Sequence, residues 1–380
     1  MAPPIQVLVV DDSLFMRKII SDLIMESSQF QVVDSAKNGK EAIEKIVQLK
    51  PDVVTLDIEM PIMNGLQALE KIMKQCPTPV VMLSSLTEEG ASETIRALEL
   101  GAVDFIRKPS GSISLDLYKV QKQLHEKLHI AAQSKAGIAR TALQTSGAEI
   151  KKPNEPVRPG TLKRIKSVSA LLGKKQMPAK PKNGGTPCVD HFVAIGTSTG
   201  GPKALQTVLQ GIPAEFPAPI FIVQHMPPKF TQSLAKRLND LCEIRVTEAL
   251  DSEIAYSGHA YIAPGGMHMT VGKAENGSYR IVLNKEEPKS GHRPSVDVLF
   301  HSLLPLQAAK RHAVLMTGMG SDGARELTAL RRAGAMTTIA ESEETCVVYG
   351  MPRTAVEMGG AMFVLPLHEI ASKLVQAVSC

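Results

Sequence analysis

Twice along this chain of 380 residues, short apolar runs alternate with longer stretches of helical period, and a break separates the two series. Such alternation is the signature of βαβ units, which bury a parallel sheet beneath covering helices. In the first series the predicted strands are IQVLVV (5–10), QVVDSA (31–36), DVVTLD (52–57), PVVMLS (79–84) and VDFIR (103–107). Helix-like segments begin near Leu14, Gly39, Gly65, Ala91 and Leu115. Five repeats in this length predict a flavodoxin-like (βα)5 domain over residues 1–130. In the second series strands are expected at 192–196, 219–224, 313–317 and 336–340, so residues 189–380 read as a doubly wound α/β domain with a mainly parallel sheet. The length agrees with two domains, because single cores stop growing well below it.

The intervening residues 131–188 hold six prolines, six glycines and 12 Lys/Arg against only Glu149 and Glu155. With no sustained periodicity, they are expected to form a long flexible linker, basic enough to touch acidic partners. The formal charge of +5 is therefore local, since the remainder of the chain carries −5. That balance, and the lack of a helix-turn-helix pattern, argue against a nucleic-acid-binding protein. No run approaches the roughly 18 apolar residues of a spanning helix. The start, MAPPIQVLVVDD, lacks the basic flank and cleavage site of a secretory signal, so a cytoplasmic protein that is not membrane-inserted is expected. Cys76, Cys188, Cys242, Cys346 and Cys380 are scattered without CxxC spacing and read as reduced thiols.

The first chemical feature is acidic. Predicted strand one ends in Asp11-Asp12 and strand three in Asp57, so three carboxylates converge at the carboxyl edge of one parallel sheet, where open α/β folds bind ligands. Two unit charges 4 Å apart repel by about 4 kcal/mol at an effective dielectric of 20, so the cluster calls for a cation or proton. Mg²⁺ fits, as a hard ion that prefers oxygen and keeps open positions for phosphate. Asp57 would be the nucleophile that accepts the phosphoryl group. Ser84 and Lys108, at two later strand ends, add a hydroxyl and a cation. Taken singly, Asp11-Asp12 reads equally as a helix cap, Ser84 as a turn residue and Lys108 as a solvated charge.

Together, VLVVDDS, LDIEMPIMNG, VVMLSS and DFIRKP resemble the receiver domain of two-component response regulators over residues 5 to about 128. The resemblance implies phosphorylation at Asp57, Mg²⁺ held by Asp11, Asp12, Asp57 and the Glu59 backbone carbonyl, and a switch built from Ser84, Phe105 and Lys108. It implies a histidine kinase of a chemotaxis system as phosphodonor.

In the second series the strand HFVAI runs into Gly196-Thr197-Ser198-Thr199-Gly200-Gly201 and then a helical stretch. This fits G-x-S-x-G, whose glycines allow the sharp turn that lifts a serine above a sheet. It fits equally a glycine-rich turn that cradles phosphate, which would make the domain a non-catalytic phosphate or nucleotide binder. A serine hydroxyl needs a base. His225, ending the strand APIFIVQ, and Asp322, in MTGMGSDG after the strand HAVLMT, stand at the same expected sheet edge. Asp322 reads also as an N-cap for ARELTALRRAG, and Asp297 is a rival acid.

The motifs AIGTSTGGP, VQHMPPKFT, YIAPGGMHM, HRPSVDVLF and LMTGMGSDGA resemble the catalytic domain of the chemotaxis protein-glutamate methylesterase family from residue 189 to about 378. That resemblance implies a Ser198–His225–Asp322 triad with Thr199 beside the nucleophile and an oxyanion amide from Met319. His268, Arg293 and Asp297 lie in the same motifs without an assigned role. The implied activity is hydrolysis of glutamyl methyl esters on methyl-accepting chemoreceptors, with deamidation of receptor glutamines as a second reaction and no cofactor in the esterase site.

Overall fold

The computed structural model describes residues 3–85, 87–108, 118, 120–134, 190–274 and 278–379. The segment read as the basic linker lies outside the described residues, apart from its first four positions, which continue a helix to residue 134.

In the first unit β1 (Ile5–Val10), β2 (Phe30–Ala36), β3 (Val53–Asp57), β4 (Val80–Ser84) and β5 (Asp104–Arg107) form one sheet in the order β2-β1-β3-β4-β5. Every pairing is parallel, the flavodoxin-like order. Strands covered on both faces must be apolar throughout, which is why VLVV, VVTL and VVML are fully buried. Helices α1 (Leu14–Met25), α2 (Gly39–Leu49), α3 (Gly65–Gln75), α4 (Glu88–Leu100) and α5 (120–134) cover the two faces. Ser13, Asn38, Asn64 and Thr87 cap the first four through their side chains. The Thr87 cap starts α4 three residues before the position expected from periodicity.

The second unit is a seven-stranded sheet in the order β14-β13-β12-β6-β7-β9-β8, again with every pairing parallel. Its strands are β6 (His191–Thr197), β7 (Ile220–Gln224), β8 (Arg245–Glu248), β9 (His259–Ile262), β12 (Lys310–Leu315), β13 (Thr337–Glu341) and β14 (Phe363–Leu365). An antiparallel pair, β10 (His268–Lys273) and β11 (Tyr279–Asn284), stands apart. Helices α6 (Gly201–Gln210), α7 (Phe230–Leu241), α8 (Val296–Leu303), α9 (Ala324–Arg332), α10 (Met351–Glu357) and α11 (Leu367–Val378) complete the unit. The chain leaves β6 for β7 on one side and returns through β12 on the other, so the strand order reverses at β6 and opens a crevice at its carboxyl end.

The two units touch. Phe105 of β5 stacks on Phe230 of α7 with ring centroids 4.6 Å apart, Arg237 of α7 grips Glu99 of α4 through Nε at 2.8 Å and Nη2 at 2.9 Å, and one apolar cluster runs across the junction.

Candidate active site and phosphoacceptor pocket

Ser198 follows β6, His225 follows β7 and Asp322 lies on the loop after β12, so three neighbouring strand ends carry them to the switch-point crevice. Backbone bonds lock the three loops together: Ser198 N–H donates to Thr317 O at 3.0 Å, and His225 N–H to Thr197 O at 3.2 Å. Glycine is required here by contact. A Cβ on Gly318 would lie 2.7 Å from Ser198 Cβ, and one on Gly201 would lie 1.9 Å from Gln224 Oε1. The helix α6 begins three residues after Ser198, aiming its positive end at the crevice.

Asp322 Oδ2 lies 2.8 Å from His225 Nε2, both side chains being almost wholly buried. The carboxylate also accepts from Val296 N–H (2.7 Å), Asp297 N–H (3.0 Å) and Ser295 Oγ (2.9 Å), which places it on the amino end of α8. Burial opposes its charge, but His225 and the two amides prevail and bring its pKa down to about 2. An ionised Asp322 only accepts, so Nε2 is the donor, and in the neutral imidazole Nδ1, buried without a hydrogen-bond partner, is the nitrogen that carries the lone pair. The helix following Asp322 is capped by Gly323, so this aspartate does not serve as the N-cap of α9.

Asp297 accepts from Gly323 N–H at 3.0 Å and burial raises its pKa, which makes it a brace for the Asp322 loop. His268, fully buried on β10, has Nε2 3.2 Å from Glu287 O. Arg293 donates through Nη1 to Lys285 O and Glu286 O, and it faces the crevice. Met319 is exposed and lines the same cavity of about 650 Å³ as Ser198, Thr199 and His225. The far wall comes from the first unit: Asp104, Phe105, Lys108 and Lys127. Thr199 Oγ1 donates to Asp104 Oδ2 at 2.6 Å, and Lys127 Nζ lies 2.8 Å from Asp104 Oδ1.

Two further side chains escaped the sequence reading. Gln224 Oε1 accepts from Thr197 Oγ1 at 2.6 Å while its Nε2 donates to Ser198 O at 2.9 Å, tying the nucleophile's turn to the strand that bears the base. His292 stacks on His225 with centroids 3.9 Å apart and planes 4° from parallel. The run HRPSVD was the available signal for His292.

The acidic pocket gathers Asp11, Asp12 and Asp57, whose carboxylate oxygens lie within 4.8 Å of one another. Lys108 Nζ bridges Asp57 Oδ1 at 2.7 Å and Asp11 Oδ2 at 2.9 Å. Burial pushes Asp57 up to about 6, against Lys108 and with help from Asp11, and Asp57 Oδ2 is left buried without a hydrogen bond. Glu59 lines this pocket. Ser84 does not face it: its hydroxyl turns to Thr94 Oγ1 at 2.6 Å on α4, and Ser85 lines the pocket instead. Phe105 points to the junction with the second unit.

Comparison with known proteins adds an independent line. The CheB methylesterase model matches residues 193–374, and the response regulator receiver domain model matches residues 7–117. The protein-glutamate methylesterase/protein-glutamine glutaminase of Geobacillus kaustophilus is 48% identical over 374 residues, covering 98% of this chain and 99% of that protein. The chain belongs to the protein-glutamate methylesterase family. A second member, from Bacillus subtilis, is 47% identical over 374 residues and covers 98% of each. The crystal structure of the Thermotoga maritima CheB methylesterase catalytic domain is similar at 44% identity, covering 49% of this methylesterase-family chain and 98% of that one, with a TM-score of 0.48.

Proposed function

We propose that this chain hydrolyses glutamyl methyl esters on chemoreceptors under control of phosphorylation at Asp57, and that it deamidates receptor glutamines at the same site. One observation carries the hydrolytic part: His225 is held through Nε2 by a buried, ionised Asp322 on the crevice that Ser198 shares. A phosphate-binding glycine turn would need neither residue.

Ser198 Oγ attacks the ester carbonyl carbon while His225 Nδ1 takes its proton, and the imidazolium returns that proton to the departing methoxide as methanol. Water then attacks the acyl-serine, its proton passing through Nδ1 back to Ser198 as glutamate leaves. Asp322 fixes the tautomer and stabilises the imidazolium. The amides of Thr199 and Met319 face the developing oxyanion, where one donor is worth about 2.7–4 kcal/mol. A glutamine side chain offers the same carbonyl, with ammonia as the leaving group.

The donor set of the acidic pocket fits a hard divalent cation, because Asp57 Oδ2 is buried without a partner beside two further carboxylates. Asp11, Asp12, Asp57 and the Glu59 carbonyl would hold Mg²⁺, which supplies charge neutralisation for an incoming phosphoryl group. Asp57 is the phosphoacceptor, Lys108 balances phosphate charge, and Ser84, turned here to Thr94, and Phe105, stacked here on Phe230, are the switch pair that would reorient on phosphorylation. A chemotaxis histidine kinase is the donor. No described helix is long and apolar enough to cross a membrane, in line with a protein that works in the cytoplasm on receptors it does not join.

Replacing Ser198 by Ala tests the reading. Methanol release from methylated receptors is expected to vanish while the fold survives; release at the wild-type rate would end the case for a serine esterase.

A further inference from the structure

A histidine base is useful only if its free nitrogen stays aimed at the nucleophile. In this structure His225 has one hydrogen bond on its ring, from Nε2 to Asp322. That bond holds one edge of the ring, while Nδ1, on the other edge, is buried and held by no hydrogen bond. Rotation about Cβ–Cγ is the motion that re-aims Nδ1, which the proposed mechanism requires to face Ser198. The flat face of His292 adds a second restraint on the ring plane, present before substrate arrives.

His292 is itself anchored. Its N–H donates to Lys289 O at 2.9 Å, its carbonyl accepts from Lys289 N–H at 3.0 Å, and the next carbonyl, Arg293 O, accepts from Gly266 N–H at 3.0 Å. Burial holds its pKa down to about 4, with repulsion from His225 and Lys127 outweighing attraction by Asp322. At neutral pH the lower ring of the stack is uncharged, so it does not oppose the imidazolium that forms above it during turnover.

We infer that His292 is a positioning residue for the base: its ring fixes the plane of His225 so that Nε2 stays on Asp322 and Nδ1 stays on the Ser198 side. The inference rests on the esterase reading and deepens it. The requirement is for a flat face and not for imidazole chemistry, which makes it separable from a role in substrate contact.

The test compares His292→Phe, His292→Leu and His292→Ala in the full chain, with methanol release from methylated receptors as the kinetic readout. A base misplaced by about 1 Å costs on the order of 100-fold, so Ala and Leu are expected to lower kcat by about 10- to 100-fold with KM within about threefold of wild type. Phe should hold kcat within about threefold of wild type. Leu retains bulk without planarity, so it answers the question even where Ala fails to fold. Histidine ¹⁵N spectra give a readout independent of turnover: a single Nε2–H tautomer at His225 in wild type and Phe, and a mixed or broadened signal in Leu. Wild-type kcat in Leu, an effect confined to KM, or a folded Phe variant as impaired as Leu would each overturn the inference. Failure of the esterase reading would show differently, as undiminished methanol release from Ser198→Ala.

Discussion

In the proposed mechanism the residue that decides the chemistry is Asp322, whose four hydrogen bonds divide between holding α8 and holding His225. Two, from Ser295 Oγ and Asp297 N–H, go to Oδ1, while Oδ2 is shared between Val296 N–H and His225 Nε2. Asp322→Asn separates the two roles. Its carbonyl oxygen can still accept from Ser295 and Asp297, while its amide N–H₂, in place of Oδ2, gives up the Val296 bond and, directed at Nε2, forces the proton onto Nδ1 and removes the base. A kcat lower by about 10⁴-fold is expected with little change in KM and a folded protein, measured by methanol release. The three residues that meet at this crevice were legible as candidates in the sequence because each follows a strand-like run and two of them lie among glycines. Gln224 and His292 were harder to single out, since one reads as an ordinary strand end and the other, though inside HRPSVD, meets His225 through a ring contact that no spacing pattern encodes. Ser84 was placed on the correct strand end, but its hydroxyl turns to Thr94 because a buried O–H takes the partner its helix offers.

Among elements, β6 and β12 do most to position the site, and their opposite ends carry a second feature. His191 Nδ1 and His312 Nε2 lie 3.1 Å apart with stacked rings at the amino edge of the sheet, far along both strands from Ser198 and Asp322. Burial, with His191 and Lys310 adding, lowers His312 to about 4 from an ordinary value of 6.5, and burial lowers His191 also. A histidine held neutral in the fold binds fewer protons than in the unfolded chain below pH 6.5. Its stabilising effect is therefore complete above that pH and lost progressively as pH falls towards 4. For His312 the loss is on the order of 2 kcal/mol by pH 5. His312→Gln should flatten the decline of the urea midpoint between pH 7.5 and 5, leaving esterase chemistry at the other sheet edge intact; an unchanged slope would refute the assignment. The long apolar strands were readable from sequence because burial on both faces leaves unbroken runs. β8, β9 and β14 were not, since RVTE, HAYI and FVL are short edge or near-edge strands whose pairing is set by neighbours and not by their own pattern. The pair β10–β11 had a signal in Asn276-Gly277, a dipeptide of hairpin turns.

At the scale of the whole molecule the receiver forms one wall of the cavity that holds Ser198 and His225, and its strand β5 runs from that wall to the acidic pocket of Asp57. Asp104 holds Thr199, Phe105 stacks on Phe230, and Lys108, four residues after Asp104, grips Asp57. On the proposed reading, phosphate on Asp57 would compete for Lys108 and draw on the same strand, making the arrangement seen here and a phosphorylated one alternative populations. The size of the response follows from what holds the junction. Arg237–Glu99 is a partly exposed pair outside the cavity, and such pairs contribute about 0.2–1 kcal/mol. Arg237→Ala should therefore raise methanol release by the unphosphorylated chain by no more than about fivefold. The Thr199–Asp104 bond is buried and involves a carboxylate, a type worth about 1.5–3 kcal/mol, and it occupies a hydroxyl beside the nucleophile. Asp104→Ala should raise basal release by about tenfold or more. Because the two contacts share no partner, the double variant should approach the product of the single effects. Phosphorylated protein should gain little from either change, since its population is already open. Equal basal rates in Asp104→Ala and wild type would mean that the junction seen here does not restrain the esterase.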